Sequence, residues 1–194
     1  IVYIPHFMSW VVAASIFSMI LSPTSAGLVN DILMKLHLIS DNIYFLGDQK
    51  WWRFSYYLIN VWKDTGWGTI IFMATLAGIS PELYEAASMD GANRFQKMIY
   101  ITLPALNNTI VTVLVLNLAK VMNLFESVFV LQNDAVIKVS DVLQTYIYTQ
   151  TFNSGAIPDY GYTTAVGMFS SIISCILVLV CNRVSHKTRG RGIV

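Results

Sequence analysis

The chain has 194 residues, of which 55% are hydrophobic and only 12% charged, with a formal net charge of +1 and a mean hydropathy of +0.58. Ordinary soluble domains carry about a quarter charged residues, so the composition places the chain among membrane proteins. A net charge so near zero offers no basic stripe for nucleic-acid phosphates. Cys175 and Cys181 sit in one apolar run, on different faces of a helix at that spacing, and read as small apolar packers instead of a disulfide or metal ligands.

Crossing about 30 Å of hydrocarbon takes roughly twenty apolar residues in a helix. The stretch 7–30 contains no Asp, Glu, Lys or Arg, and within it a first membrane helix is expected over about 4–22. The first residue is Ile, with apolar sequence beginning at once. The chain is therefore expected to be a fragment lacking upstream helices, and with no charged n-region or cleavage site ahead of the apolar run a signal peptide is not expected. "SPTSAG" breaks the helix with Pro and Gly, and 28–54 mixes apolar with charged positions as a loop holding a short amphipathic helix near 28–38. A second span is expected over about 55–79, interrupted by Lys63 and Asp64. A charged segment, 81–103, follows. The uncharged run 98–119 starts a third span, about 104–130. Residues 131–160 form a polar loop in which "SDVLQTYIYTQTF" suggests a short interfacial helix. The last uncharged run gives a span over about 160–182, followed by the tail "RVSHKTRGRGIV".

Lys and Arg in short loops set orientation. With four spans, 80–103 and the tail share a side holding Arg94, Lys97, Arg183, Lys187, Arg189 and Arg191. The other side, 23–54 with 131–160, holds Lys35, Lys50, Arg53 and Lys138 over a greater length, offset by several aspartates. Segment 81–103 is therefore expected to be cytoplasmic. Within it, Pro81 and Glu82 make a helix start, a short helix stops near Gly91, and Asn93 can cap a second that runs to "TLP". The expected shape is a helix–turn–helix elbow on the membrane face, with Ala86, Ala87 and Gly91 allowing close approach of another surface. An interfacial loop without a partner is the alternative.

The same segment carries a signature. Glu85-Ala86-Ala87, three residues, Gly91, nine residues, Ile101, one residue and Leu103-Pro104 match the "EAA…G…I.LP" pattern of the membrane subunits of ATP-binding-cassette importers. "IVYIPHFMSW", "VWKDTGWGTIIFMATLAGISPELYEAASMDGA" and "NLFESVFVL" resemble the sugar-importer permeases of the maltose-permease type, particularly the polysaccharide and oligosaccharide branch. The resemblance covers essentially the whole chain. It implies an all-α polytopic membrane protein with the importer transmembrane-domain fold, of which this chain corresponds to the last four helices, in the bacterial cytoplasmic membrane. It implies that Glu85, Ala86, Ala87, Gly91 and Ala92 belong to the contact with a cytoplasmic ATPase subunit. No G-x-x-x-x-G-K-[ST] loop is present, so the chain is expected to be no enzyme and to bind no cofactor, with ATP and Mg held by the partner ATPase. The further implied partners are a second, related permease, an extracytoplasmic sugar-binding protein, the oligosaccharide and the bilayer. A permease for another solute such as amino acids, or a membrane transporter or scaffold without an ATPase, is the competing reading.

Polar residues inside a span are costly and usually face a cavity or partner. The second expected span carries Asn60, Lys63, Asp64 and Trp67, and the third Asn117, Lys120, Asn123, Glu126 and Ser127. At 1.5 Å per residue, Lys63 lies roughly 24 Å above Ile79 and Lys120 roughly 24 Å above Pro104, so the two groups share a depth. The resemblance points to His6, Trp10, Asn60, Lys63, Asp64, Trp67, Val121 and Leu124 as facing sugar. Val121 and Leu124 depart from the family's polar choice, and Lys120 and Asn123 are candidates to substitute. Trp10 and Trp67 suit the apolar face of a pyranose. Pairing of Lys63 with Glu126, or Lys120 with Asp64, is geometrically easier across helices than within one, and because burial disfavours an unpaired cation a neutral oligosaccharide is expected over an acidic one.

Overall fold

The computed structural model describes residues 2–24, 27–153 and 159–189, with side chains as far as Arg183. All regular structure among them is helical: a 3-10 turn Ile4–Phe7, then α1 (Trp10–Ile20), α2 (Leu28–Lys35), α3 (Gln49–Ala77), α4 (Pro81–Met89) and α5 (Arg94–Lys97). A π turn, Met98–Thr102, leads into α6 (Leu103–Val121), followed by α7 (Glu126–Leu131), α8 (Ile137–Ser140), α9 (Leu143–Phe152) and α10 (Tyr160–Arg189). Part of the expected "SPTSAG" break (residues 25 and 26) and the end of the basic tail, with Arg191, lie outside the described residues, as do the side chains of Lys187 and Arg189.

Two stretches are long and apolar enough to cross a membrane, Arg94–Val121 and Tyr160–Arg183, and only 6% and 11% of their most apolar windows are buried by the chain itself. A core helix of a soluble domain would be covered by its own protein. These present their apolar surface outward, as lipid-facing helices do. The first expected span, 4–22, is instead divided. Met8 is extended (ψ 140°), and Ser9 caps α1 by accepting from the Val12 N–H at 3.2 Å. The 11 residues of α1 reach only about 16 Å. The second, α3, is longer than expected at 29 residues, but its charged positions keep it from being apolar throughout. The expected helix 104–130 ends at Val121 and resumes as α7. In the gap the side-chain amide of Gln144 donates to the Met122 carbonyl at 3.3 Å, supplying a donor the helix no longer provides. The last helix continues past 182 to Arg189. The short helices expected near 28–38 and within 140–152 form as α2 and α9.

The chain divides into two compact units, Ile1–Gly66 with Met122–Ile173, and Trp67–Val121 with Ser174–Val194. In the first, Trp52, Tyr56 and Ile59 recur along one face of α3 and pack with Val128 and Leu131 of α7, Val136, Leu46 and Ala14. The indole of Trp52 and the hydroxyl of Tyr56, both buried in this core, are paired, as burial demands. The Trp52 indole N–H donates to the Leu131 carbonyl at 3.1 Å, and the Tyr56 and Ser127 hydroxyls lie 2.9 Å apart. Fully buried Asn30 donates to the Ser22 and Ile43 carbonyls and accepts from the Ile43 N–H, all within 2.9 Å, tying α2 to the loop after it. In the second unit, Thr75 and Thr109 hydroxyls, 2.8 Å apart, join α3 to α6. Val115 is its one buried apolar side chain among the described residues.

Candidate functional site

In the second unit, α4 begins at Pro81 with Glu82 in its first turn, where an acid complements the exposed N–H groups. It ends in two crossing bonds, Gly91 N–H to the Ser88 carbonyl at 3.1 Å and Ala92 N–H to the Ala87 carbonyl at 2.9 Å, the Schellman arrangement that needs a left-handed residue. Gly91 supplies it at φ +79°. Two residues later Asn93 opens α5 with a reciprocal capping box: its side chain accepts from Gln96 N–H at 2.9 Å, and Gln96 accepts from Asn93 N–H at 2.7 Å. The arms are clasped by Lys97 Nζ donating to Ser88 Oγ at 2.5 Å and by the Tyr84 and Thr102 hydroxyls at 2.9 Å. The expected elbow is thus present, with the expected Asn93 cap.

No residue of α4 or α5 is buried. Met89 is 89%, Tyr100 77% and Phe95 71% exposed; Glu85, Ala86 and Gly91 are exposed, Ala87 and Ala92 half-buried. Glu85 has no ion pair among the described residues. A Cβ built on Gly91 would meet nothing within 4 Å. Within this chain, then, glycine is required there for its backbone angle and not for clearance, and the space above it is open to another surface.

In the first unit the structure brings together four of the residues expected to face substrate. The 3-10 turn carries His6, and Trp10 begins α1. Both meet α3 at Lys63 and Asp64. Lys63 is 5% exposed, donates to the His6 carbonyl at 3.3 Å and holds its ammonium 5.1 Å from the centre of the Trp10 ring, a cation–π distance. His6 Nδ1 lies 3.6 Å from Asp64 Oδ1. Lys63 does not pair with Glu126 as expected. A carbonyl dipole and a ring face satisfy it nearer at hand, and Glu126 stays exposed. Asn60 turns its amide back to the Tyr56 carbonyl at 2.9 Å. Asn123 accepts from Gln144 at 3.4 Å, and Leu124 is exposed. Trp67, Lys120 and Val121 fall in the second unit and are exposed there. Lys120 has no ion pair among the described residues.

Two residues that build this site were not singled out in the sequence. Gly66 lets the N-terminal turn lie directly on α3: a Cβ there would sit 2.4 Å from the Val2 carbonyl oxygen and 2.6 Å from Tyr3 Cα. Its signal is a glycine inside a helical pattern, which marks close backbone approach. Gln144 reaches the gap between α6 and α7 from a helix more than twenty residues away, and nothing local announces it.

The binding-protein-dependent transport system inner membrane component family matches residues 1–190. Among curated proteins the chain is 40% identical over 193 residues to protein LplB of Bacillus subtilis strain 168, covering 99% of this chain. It is 39% identical over 194 residues, its full length, to the polygalacturonan/rhamnogalacturonan transport system permease protein YteP of the same organism. It spans 59% of the length of each. Among solved structures it superposes with TM-score 0.92 and 36% identity on a chain of a bacterial alginate transporter in complex with an alginate pentasaccharide-bound periplasmic protein, covering all of this chain and 65% of that one. With the signature elbow, the all-helical fold and a match along nearly its whole length, the chain belongs to the family of binding-protein-dependent transport system inner membrane components.

Proposed function

We propose that this chain is part of a permease subunit that moves an oligosaccharide inward across the bacterial cytoplasmic membrane as a multi-pass protein. The observation that carries the reading is the elbow: a locally clasped pair of helices with no buried residue and open space over Gly91, bearing the Glu85-Ala86-Ala87…Gly91 signature in a chain of this family. A cytoplasmic ATPase seats Glu85, Ala86, Ala87, Gly91 and Ala92, with ATP and Mg on that subunit. A second, distinct permease completes the path, and an external binding protein delivers the sugar to the 23–54 and 131–160 face. His6, Trp10, Asn60, Asp64, Trp67, Lys120, Val121, Asn123 and Leu124 line the path. Lys63 serves it from behind, by holding Trp10 and the turn that carries His6.

Between neutral and acidic saccharides, we favour the acidic. The expectation of a neutral sugar rests on burial disfavouring an unpaired cation. Lys63 is buried and turned to the His6 carbonyl and the Trp10 ring, but Lys120 is exposed and has no ion pair among the described residues, so the acidic reading rests on Lys120. Two similar proteins carry acidic-polysaccharide names, polygalacturonan/rhamnogalacturonan and alginate. Co-purification of the full-length protein should bring down a cytoplasmic ATPase and a second permease. Recovery of an active transporter containing neither would end the proposal. On the substrate, Lys120→Met is expected to reduce uptake of uronate oligomers more than of neutral ones, and equal loss of both would restore the neutral reading.

A further inference from the structure

Four aromatic rings form a continuous ladder on the first unit. Phe125 stacks on Phe129 with centroids 5.1 Å apart. Tyr148 of α9 contacts both, at 5.4 and 4.9 Å, and passes the row to Phe152 at 5.2 Å. The row is not a core: Phe129 is 43% and Phe152 68% exposed. Helical spacing aligns Gln144, Tyr148 and Phe152 on one face of α9. The foot of the ladder therefore meets the amide of Gln144, which is bonded to Asn123, a residue of the proposed sugar path. Gln144 also borders an open cavity of about 570 Å³, together with Thr164, Gly167 and Ser171 of α10.

Exposed aromatic area of this extent calls for an occupant. Rings alone would suit lipid or another protein. Here they are joined to amides and hydroxyls: Gln144 and Asn123 at the foot, Thr164 and Ser171 beside it, and a Tyr148 hydroxyl that makes no hydrogen bond among the described residues. Apolar faces interleaved with a few directed polar groups are the chemistry of a saccharide, whose ring C–H faces stack while its hydroxyls bond. The row also starts where α6 is interrupted, and transporter sites gather at such breaks.

We propose that Phe125, Phe129, Tyr148 and Phe152, with Gln144 at their foot, form an extended binding track for the distal units of an oligosaccharide whose leading end sits at Asn123. The track rests on the saccharide reading above and adds a property to it, selection by chain length. Each ring removed weakens long substrates more than short ones, because only long ones reach it.

The test uses the complete transporter in liposomes and a labelled series of uronate oligomers from dimer to hexamer. Phe152 is mostly exposed, so its replacement leaves the core intact. Phe152→Ala and Phe152→Leu are expected to weaken the apparent affinity for the hexamer roughly three- to ten-fold more than for the dimer, the scale of one aromatic stacking contact, and Phe152→Tyr to restore it. Leucine behaving as wild type would mean that bulk suffices, as for packing or lipid contact, and would overturn the track. Equal losses at every length would overturn it too. A wild-type transporter that takes up uronate oligomers while the variants keep its length dependence refutes the track alone. One that takes up no member of the series refutes the acidic-oligosaccharide reading and the track with it.

Discussion

No side chain of α4 or α5 is buried, yet the elbow's shape is specified bond by bond. The opposite holds around α3 and α7, where Trp52 is 3%, Ile59 0% and Val128 1% exposed and contacts join residues some seventy or more positions apart. One region is held by short-range hydrogen bonds at helix ends, the other by an aromatic core and long-range bonds. They should therefore fail differently: the core by cavity formation that unseats several elements together, the elbow by loss of local shape with the rest intact.

The largest effect is expected from Trp52→Ala. It removes a buried ring stacked on Tyr56 at 5.1 Å and leaves the Leu131 carbonyl without its donor, at a cost of about 3–5 kcal/mol. The temperature of thermal inactivation of the detergent-solubilised protein should fall sharply. A change within experimental scatter would mean the first unit does not depend on this core. Next is Gly66→Ala, whose added methyl meets backbone of Val2 and Tyr3. Overpacking against backbone costs about 1–3 kcal/mol. It should lift the N-terminal turn from α3, visible as increased hydrogen exchange at residues 6–10 and reduced uptake, with the elbow unchanged.

Gly91 sharpens the contrast, because its two demands separate. Gly91→Ala strains the left-handed backbone by about 1–2 kcal/mol, and should raise exchange of the Ala92 N–H without altering global stability. Asparagine tolerates that conformation, so Gly91→Asn should keep the cap while placing a side chain in the open space. Loss of uptake with the cap intact would show that the space matters to a partner. Wild-type uptake by Gly91→Trp would remove the docking assignment altogether. The smallest effect concerns Tyr146, whose hydrogen bond with Tyr162, aided by burial and by the nearby charges, raises its phenol above the ordinary 10.0. The protonated form is favoured in the fold, so this contribution is whole below pH 10 and fades as pH rises through the raised value. Tyr146→Phe should flatten that alkaline decline in stability. An unaltered profile would mean the pair contributes nothing.

What could be read from residues alone follows the same division. The Pro81 start, the Asn93 cap and the stop at Gly91 are encoded within a few positions, and all three stand in the structure. The interruption between α6 and α7 was not legible: no Pro or Gly stands between residues 105 and 131 to mark it, the polar positions there read equally well as one face of a continuous helix, and the helix yields at Met122 where Gln144 arrives from α9. Lys63 was legible as a costly charge inside a helix but not in its partner. The His6 carbonyl is a backbone group, which every residue carries, so no residue type announces it. Gly66 escaped for a related reason. Its role depends on Val2 and Tyr3 lying against it, a contact across more than sixty residues.

The paired end motifs flanking Gly91 bear finally on the thermodynamics of association. A recognition segment that is slack when free must surrender rotational freedom as it binds, often about 0.5–1.5 kcal/mol for each long side chain immobilised. The Schellman turn, the capping box and the Tyr84–Thr102 clasp remove much of the backbone freedom before any partner arrives. The elbow is preorganised, and the ordering entropy left for the proposed docking would fall mainly on the exposed side chains of Glu85, Met89 and Phe95.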